Sequence, residues 1–208
     1  MESFNPKKRY AVFGSPVGHS ISPFIFEQLF EKNNYNASYT RISTNNSKGV
    51  KYFFEQFALS GGNITAPLKR KCIKICEEAT EDVKSIGAIN TISNFQGRIF
   101  GFSTDWYGVL LSIMNKYDNK FSNALIVGAG GGASAVAYCL SKFFPNVKVT
   151  ITNRTASNSR KLSTKFDLEV RNLDEMLNLD FFKYDIVFVT IPEPMQFFEE
   201  KNLFVRNL

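Results

Sequence analysis

Lys69 is the first residue whose setting suggests chemistry. It closes the run Asn63-Ile64-Thr65-Ala66-Pro67-Leu68-Lys69, an apolar strand end leading into a proline. Asp105 stands where a later apolar stretch gives way to another helix. An ammonium can donate a proton to a reacting oxygen or stabilise charge on it, and a carboxylate can keep that ammonium charged and oriented. A surface ion pair is the plain alternative. Four further polar residues, Ser20, Ser22, Thr65 and Asn90, fall at expected strand ends and turns. Ligands of open parallel sheets bind beyond the carboxyl ends of the strands. These side chains are therefore expected to converge with Lys69 and Asp105 on one crevice, suited to a polyhydroxylated carboxylate. Taken singly each is an ordinary cap or turn residue, and Ser22 before Pro23 has the form of a helix cap.

A second constellation is Gly128-Ala129-Gly130-Gly131-Gly132-Ala133, directly after the apolar run 124–127 and before a helical stretch. The first glycine permits a tight turn, the second lets backbone approach a pyrophosphate, and a small residue at 133 allows close packing of helix on strand. The helix start behind it offers N–H donors and a positive dipole end. A dinucleotide turn is expected, with a purely structural turn as the alternative. Asn153-Arg154-Thr155 closes the following strand. An acidic residue there would suit a ribose 2′-hydroxyl, whereas the planar fork of Arg154 suits a 2′-phosphate, so NADP is expected ahead of NAD.

The elements that must position these groups follow from hydrophobic periodicity. Strands are expected at 10–13, 37–42, around 63–65, at 88–94, 98–103, 124–127, 147–152 and 184–190. Helices are expected at 23–32, 49–59, from Pro67 through Lys69 to about 78, and at 106–114, 134–143 and 156–166. Phe95-Gln96-Gly97 reads as a hairpin turn. The alternation implies an α/β fold with parallel sheets and right-handed crossovers. The polar segment 115–123 is the candidate boundary between a domain spanning 1–118 and one spanning 119–208.

Composition narrows the class. The 208 residues carry 25 Lys and Arg against 19 Asp and Glu, a net charge of +6, but the basic residues are scattered rather than striped, which argues against nucleic acid. No apolar run is long enough to span a bilayer and no signal-peptide core follows the polar start, so a cytoplasmic, non-membrane protein is expected. Three cysteines without framework spacing and a single histidine leave no metal site; the thiols are expected to be inert.

The chain resembles the shikimate dehydrogenase family. The resemblance rests on Gly14-Ser15-Pro16 with His19-Ser20-Ile21-Ser22-Pro23, on Asn63 to Lys69, on Gly87-Ala88-Ile89-Asn90-Thr91, on Gly101-Phe102-Ser103-Thr104-Asp105, and on the glycine turn with Asn153-Arg154-Thr155, in the family's order. It implies an N-terminal substrate domain with an open, mostly parallel sheet, followed by a Rossmann-like NADP domain. The implied activity is reversible reduction of 3-dehydroshikimate to shikimate with NADPH, in the pathway to aromatic amino acids. Ser20 and Ser22 would take the substrate carboxylate; Thr65, Lys69, Asn90 and Asp105 would take its hydroxyls and reacting oxygen, with Lys69 and Asp105 as the catalytic pair. Gly128 to Ala133 and Asn153 to Thr155 would hold the cofactor. His19 is expected to order its loop through a hydrogen bond.

Three departures from the family's pattern carry expectations of their own. Ser103 replaces an asparagine and is expected to loosen the loop before Asp105. Val189-Thr190-Ile191-Pro192 replaces an Asn-Ala-Thr type sequence at the nicotinamide end. The family's closing C-terminal helix, with its substrate-binding glutamine, is expected to have no counterpart up to Leu208. The alternatives are a relative that binds nucleotide or a shikimate-like ligand without turnover, or a quinate/shikimate dehydrogenase using NAD.

Overall fold

The computed structural model describes residues 6–116, 121–171 and 183–191. By Cα proximity the chain divides into Met1–Thr104 and Asp105–Leu208, a division ahead of the expected boundary segment, of which residues 117–120 lie outside those described.

The first unit is built on a six-stranded sheet in the order β2-β1-β3-β5-β6-β4. β1 is Lys8–Gly14, β2 Ala37–Ser43, β3 Gly61–Ile64, β4 Glu78–Ala79, β5 Thr91–Phe95 and β6 Arg98–Phe102. β1 pairs in parallel with β2 and β3, and β4 with β6, but β5 runs antiparallel to both its neighbours. The sheet is mixed because the short turn at 96–97 returns the chain at once. Ala11, Phe13, Ile64, Ile92 and Ile99 face one core with Val50 and Phe54 of α2 (Ser47–Gln56). Val12 and Tyr39 face the other side, against Phe26 and Phe30 of α1 (Ser22–Lys32).

Two expectations here are overturned. Residues 67–78 do not form an α-helix: turns cover 67–70, a 3-10 helix spans Lys71–Ile75, and Glu78–Ala79 is drawn out as β4. The Lys69 carbonyl, which an α-helix would give to residue 73, instead accepts from Ile89 N–H at 2.9 Å, and Glu77 N–H goes to Ile99 O at 2.9 Å. Nor does Ser22 cap α1. The cap position is Ile21, without a side-chain bond, and Ser22 is already helical. A six-residue helix, α3 (Glu81–Ile86), was not expected; it ends at Gly87 in the left-handed region, φ 74°.

The second unit carries a four-stranded parallel sheet in the order β10-β7-β8-β9, with β7 Asn123–Val127, β8 Lys148–Thr152, β9 Glu169–Arg171 and β10 Ile186–Val189. α5 (Gly131–Phe143) and α6 (Ala156–Phe166) pack Val136, Leu140 and Leu162 on Ala124, Ile126 and Ile151, joined by Ile113 of α4 (Asp105–Lys116). The chain moves outward from β7 to β8 to β9 and then returns to β10 on the other side of β7. This places a topological switch point at the end of β7.

Candidate functional site

In the first unit, β3 organises the site because alternate residues serve opposite faces. Ile64 enters the core, so Asn63 faces the other way, in one row with Arg41, Val12 and Thr91. The Asn63 amide is fixed on both sides. Tyr39 OH donates to its Oδ1 at 2.5 Å, and its Nδ2 donates to Asn90 O and Thr91 Oγ1, each at 3.3 Å. Burial pushes the Tyr39 phenol well above its ordinary range, so it stays a donor at every physiological pH.

Beyond β3 the chain is tied to β1. Thr65 N–H donates to Phe13 O at 2.8 Å and Ser15 N–H to Ala66 O at 3.1 Å; the Ser15-Pro16 and Ala66-Pro67 peptides are both cis. A Cβ on Gly14 would overlap the Thr65 methyl and come within 2.9 Å of Ala66 O, so only glycine allows the Thr65 turn to lie this close.

Asn90 joins these pieces. Its carbonyl accepts from Ile64 N–H at 2.8 Å, and its side chain clasps Thr104: Nδ2 donates to Thr104 Oγ1, and Oδ1 accepts from Thr104 N–H, both at 2.7 Å. With the Ile89 bond to Lys69 O, one short segment holds the turns bearing Thr65 and Lys69 and the loop ahead of Asp105. The expected loosening at Ser103 is not found: Ser103 is buried and its neighbour is held twice. Residues 88–90 are accordingly not strand; β5 begins at Thr91 because Asn90 is used for these cross-links. Lys69 itself is half-buried.

Ser20 and Ser22 form a pair at the start of α1. Ser20 Oγ donates to Ser22 Oγ at 3.2 Å and accepts from Ser22 N–H at 3.3 Å. His19 is exposed and makes no hydrogen bond among the described residues, which corrects its expected role; Arg41 Nε instead donates to Ser20 O at 2.8 Å, and Ser20 N–H bonds Val17 O at 3.1 Å.

In the second unit, Gly128 adopts φ +110° and donates its N–H to Thr152 O at 2.8 Å, bringing the ends of β7 and β8 together. A Cβ there would fall on Thr190 Oγ1 and lie 3.1 Å from the Ile191 side chain. Thr190 donates both its N–H and its hydroxyl to Val127 O, each at 2.9 Å, so this replacement for the family's pattern is itself a firm anchor; Pro192 lies outside the described residues. No side chain caps α5 at Gly130, and open space surrounds the position a Gly130 Cβ would take. Ala129 and Ala133 are buried beneath the turn. A positive-φ glycine at the end of β7, a helix starting directly behind it and an open outer side at Gly130 fit a dinucleotide pyrophosphate. Asn153 Nδ2 donates to Thr155 O at 3.0 Å, shaping the turn on which Arg154 is exposed. Asp105, half-buried, is the first residue of α4.

Sequence reasoning passed over Tyr39, Arg41, Asn63, Thr91, Thr104 and Thr190. A signal existed for some of them: Tyr39 and Arg41 share a strand face, and Asn63 alternates with Ile64. Burial pushes the thiols of Cys72, Cys76 and Cys139 up to about 12, 11 and 12, which keeps them protonated. Among the described residues no three His, Cys, Asp or Glu side chains group to hold a metal, and no helix is long and apolar enough to cross a membrane.

The second unit is thus a Rossmann-type α/β unit, joined in sequence to a mixed-sheet α/β unit with a polar cluster beyond its strand ends. Residues 12–92 match the shikimate dehydrogenase substrate binding domain, and residues 111–205 match the shikimate / quinate 5-dehydrogenase model. The NADP(+) shikimate dehydrogenase of Aquifex aeolicus is 37% identical over 169 residues, covering 80% of this chain and 62% of that protein. Its counterpart in Methanococcus maripaludis is 32% identical, covering 90% and 69%. The crystal structure of the Aquifex aeolicus enzyme superposes with a TM-score of 0.79 at 33% identity, over 89% of this chain and 69% of that one. The Thermus thermophilus enzyme, solved with NADP(H) and shikimate, gives 0.75 at 29% identity, over 88% and 68%. The chain belongs to the shikimate dehydrogenase family. It spans 61–63% of the length of the first three curated relatives.

Proposed function

We propose that this chain acts as an NADP-dependent shikimate dehydrogenase, reversibly reducing 3-dehydroshikimate to shikimate in the cytoplasm. Residues 1–118 are the extent we assign to substrate binding and catalysis, and 119–208 to NADP. The observation that carries the reading is the Asn90 network, which fixes the turns of Thr65 and Lys69 to the Thr104 loop with five backbone or side-chain hydrogen bonds of 2.7 to 2.9 Å when the Thr65 bond to Phe13 is included. Such rigidity suits a site that must discriminate ring hydroxyls.

Bound NADPH supplies the hydride. The chain's own residues do the rest: Ser20 and Ser22 hold the carboxylate, and Thr65 and Asn90 hold ring hydroxyls. Lys69 donates the proton to the oxygen on which charge develops, and Asp105 is the second member of the catalytic pair. The assignment of the Lys69 and Asp105 pair is supported by their motifs, Asn63 to Lys69 and Gly101 to Asp105. On the nucleotide side, Gly128 to Ala133 receive the pyrophosphate, and Asn153, Arg154 and Thr155 receive the 2′-phosphate.

The test is oxidation of NADPH by the purified chain on addition of 3-dehydroshikimate, followed at 340 nm. Shikimate formation at the same rate supports the reading. Binding of both ligands without turnover would identify a non-catalytic relative, and turnover of quinate with NAD in preference would move the assignment to the other substrate.

A further inference from the structure

Two serine hydroxyls make a neutral receptor for a carboxylate. They bond each other at 3.2 Å, and neither carries a positive charge to offset the hydration that an anion loses when it leaves water. The cation that the fold brings to this loop is Arg41. Its position follows from β2. Tyr39, two residues earlier and on the same face, stacks on Phe26 of α1 with ring centroids 4.6 Å apart. Arg41 therefore projects on the α1 side of the sheet, one step nearer the strand's carboxyl end, in the row of Val12 and Asn63. There its Nε donates to Ser20 O at 2.8 Å.

That bond uses one of five guanidinium donors. Arg41 is exposed as a residue, so the planar fork is held by one edge while the charge stays at the rim of the serine pair. The N-terminus of α1, where Ser20 Oγ accepts the Ser22 N–H, adds a positive dipole end to the same place.

We infer that Arg41 is a specificity-determining residue that supplies the positive charge for the substrate carboxylate, selecting the acid over neutral analogues of the same ring. This rests on the assignment of Ser20 and Ser22 to the carboxylate. On this reading the hydroxyls give direction and Arg41 gives charge.

The experiment is calorimetric titration of wild type, Arg41→Gln and Arg41→Lys with shikimate and with its uncharged methyl ester, at low and at 0.5 M salt, with melting temperatures checking the fold. Arg41→Gln is expected to weaken shikimate about ten-fold while leaving the ester within about two-fold, and Arg41→Lys to keep most of the preference; salt should erode the wild-type preference. Equal weakening of acid and ester would reduce Arg41 to a loop-holding residue and overturn the inference, as would no change in either. If wild type binds neither ligand, the carboxylate assignment of the serine pair fails first and Arg41's role falls with it.

Discussion

Asn90 satisfies Thr104 twice, donating Nδ2–H to its hydroxyl and accepting its backbone N–H at Oδ1, each at 2.7 Å. The clasp spans 14 positions of sequence and uses both ends of one amide, so no isosteric residue replaces it. Aspartate would keep the acceptor and lose the donor. Asn90→Ala is expected to cost about 1–3 kcal/mol of stability from two lost hydrogen bonds. Thr104→Val should cost less, because its N–H keeps its acceptor. A double variant close to Asn90→Ala alone, measured by urea unfolding, would establish the coupling; simple additivity would show that the two residues act separately.

Removal of the Lys69 ammonium tests the chemistry apart from the fold. Lys69→Ala is expected to lower kcat by roughly 10²–10⁴, the usual worth of a positioned acid, with NADPH affinity unchanged. Stopped-flow turnover beside fluorescence titration of NADPH separates the two. Loss of nucleotide affinity in parallel with kcat would place Lys69 outside the proton-donor role.

The glycine turn offers a contrasting pair. Gly128→Ala meets both a φ of +110° and the Thr190 hydroxyl, so melting temperature and NADPH binding should fall together. Gly130 has extended dihedrals that any residue adopts and open space around it. Gly130→Ala should therefore melt like wild type while binding NADPH at least about ten-fold more weakly, because the added methyl stands where the pyrophosphate must approach. Unimpaired binding in Gly130→Ala would remove the pyrophosphate from this turn.

Arg154 should discriminate nucleotides without affecting stability, being exposed on its turn. Arg154→Ala is expected to weaken NADPH roughly 10- to 100-fold, the loss of a charge-assisted pair, and to leave NADH unchanged. Equal effects on both cofactors would separate Arg154 from the 2′-phosphate.

Acid sensitivity of the second unit should pass through Asp185. The backbone N–H groups of Ser122 and Asn123, at 2.7 and 2.9 Å, hold its carboxyl below the usual aspartate range. A depressed folded-state value means the stabilisation is complete above about pH 4, the unfolded value, and is lost as pH falls through the folded one. The melting-temperature difference between wild type and Asp185→Ala should thus be full at pH 7 and shrink below about pH 4. A difference that instead grew on acidification would contradict this sign.

Much of the doubly wound unit could be read from the chain alone, because continuous apolar strands, a glycine turn and short connections leave one topology for the run from 124 to 166. The first unit was harder to read at its functional end. Pro67 and Lys69 sit in a stretch whose local pattern suits an α-helix, yet the Ile89 amide takes the Lys69 carbonyl, and that partner lies 20 positions away. Thr104 and Arg41 were passed over for the same reason: their roles come from hydrogen bonds to Asn90 and Ser20, which no local spacing encodes. Gly87 did mark the end of α3, but the helix is only six residues long and shows too little periodicity to be recognised.

β3 places Asn63 and Ile64 side by side with opposite duties, one bonded to Tyr39, Asn90 and Thr91 on the polar face and one in the core. A slip of one residue against β1 would exchange them. The misregistered chain would then lose its core contact and the amide bonds from Asn63 to Asn90 and Thr91 in a single event, so a molecule able to hold ligand through Asn90 has necessarily paired β3 correctly. Ligand retention therefore serves as a proofreading signal for strand register: in a library of β3 variants, binding would select for correct assembly without a separate measure of folding.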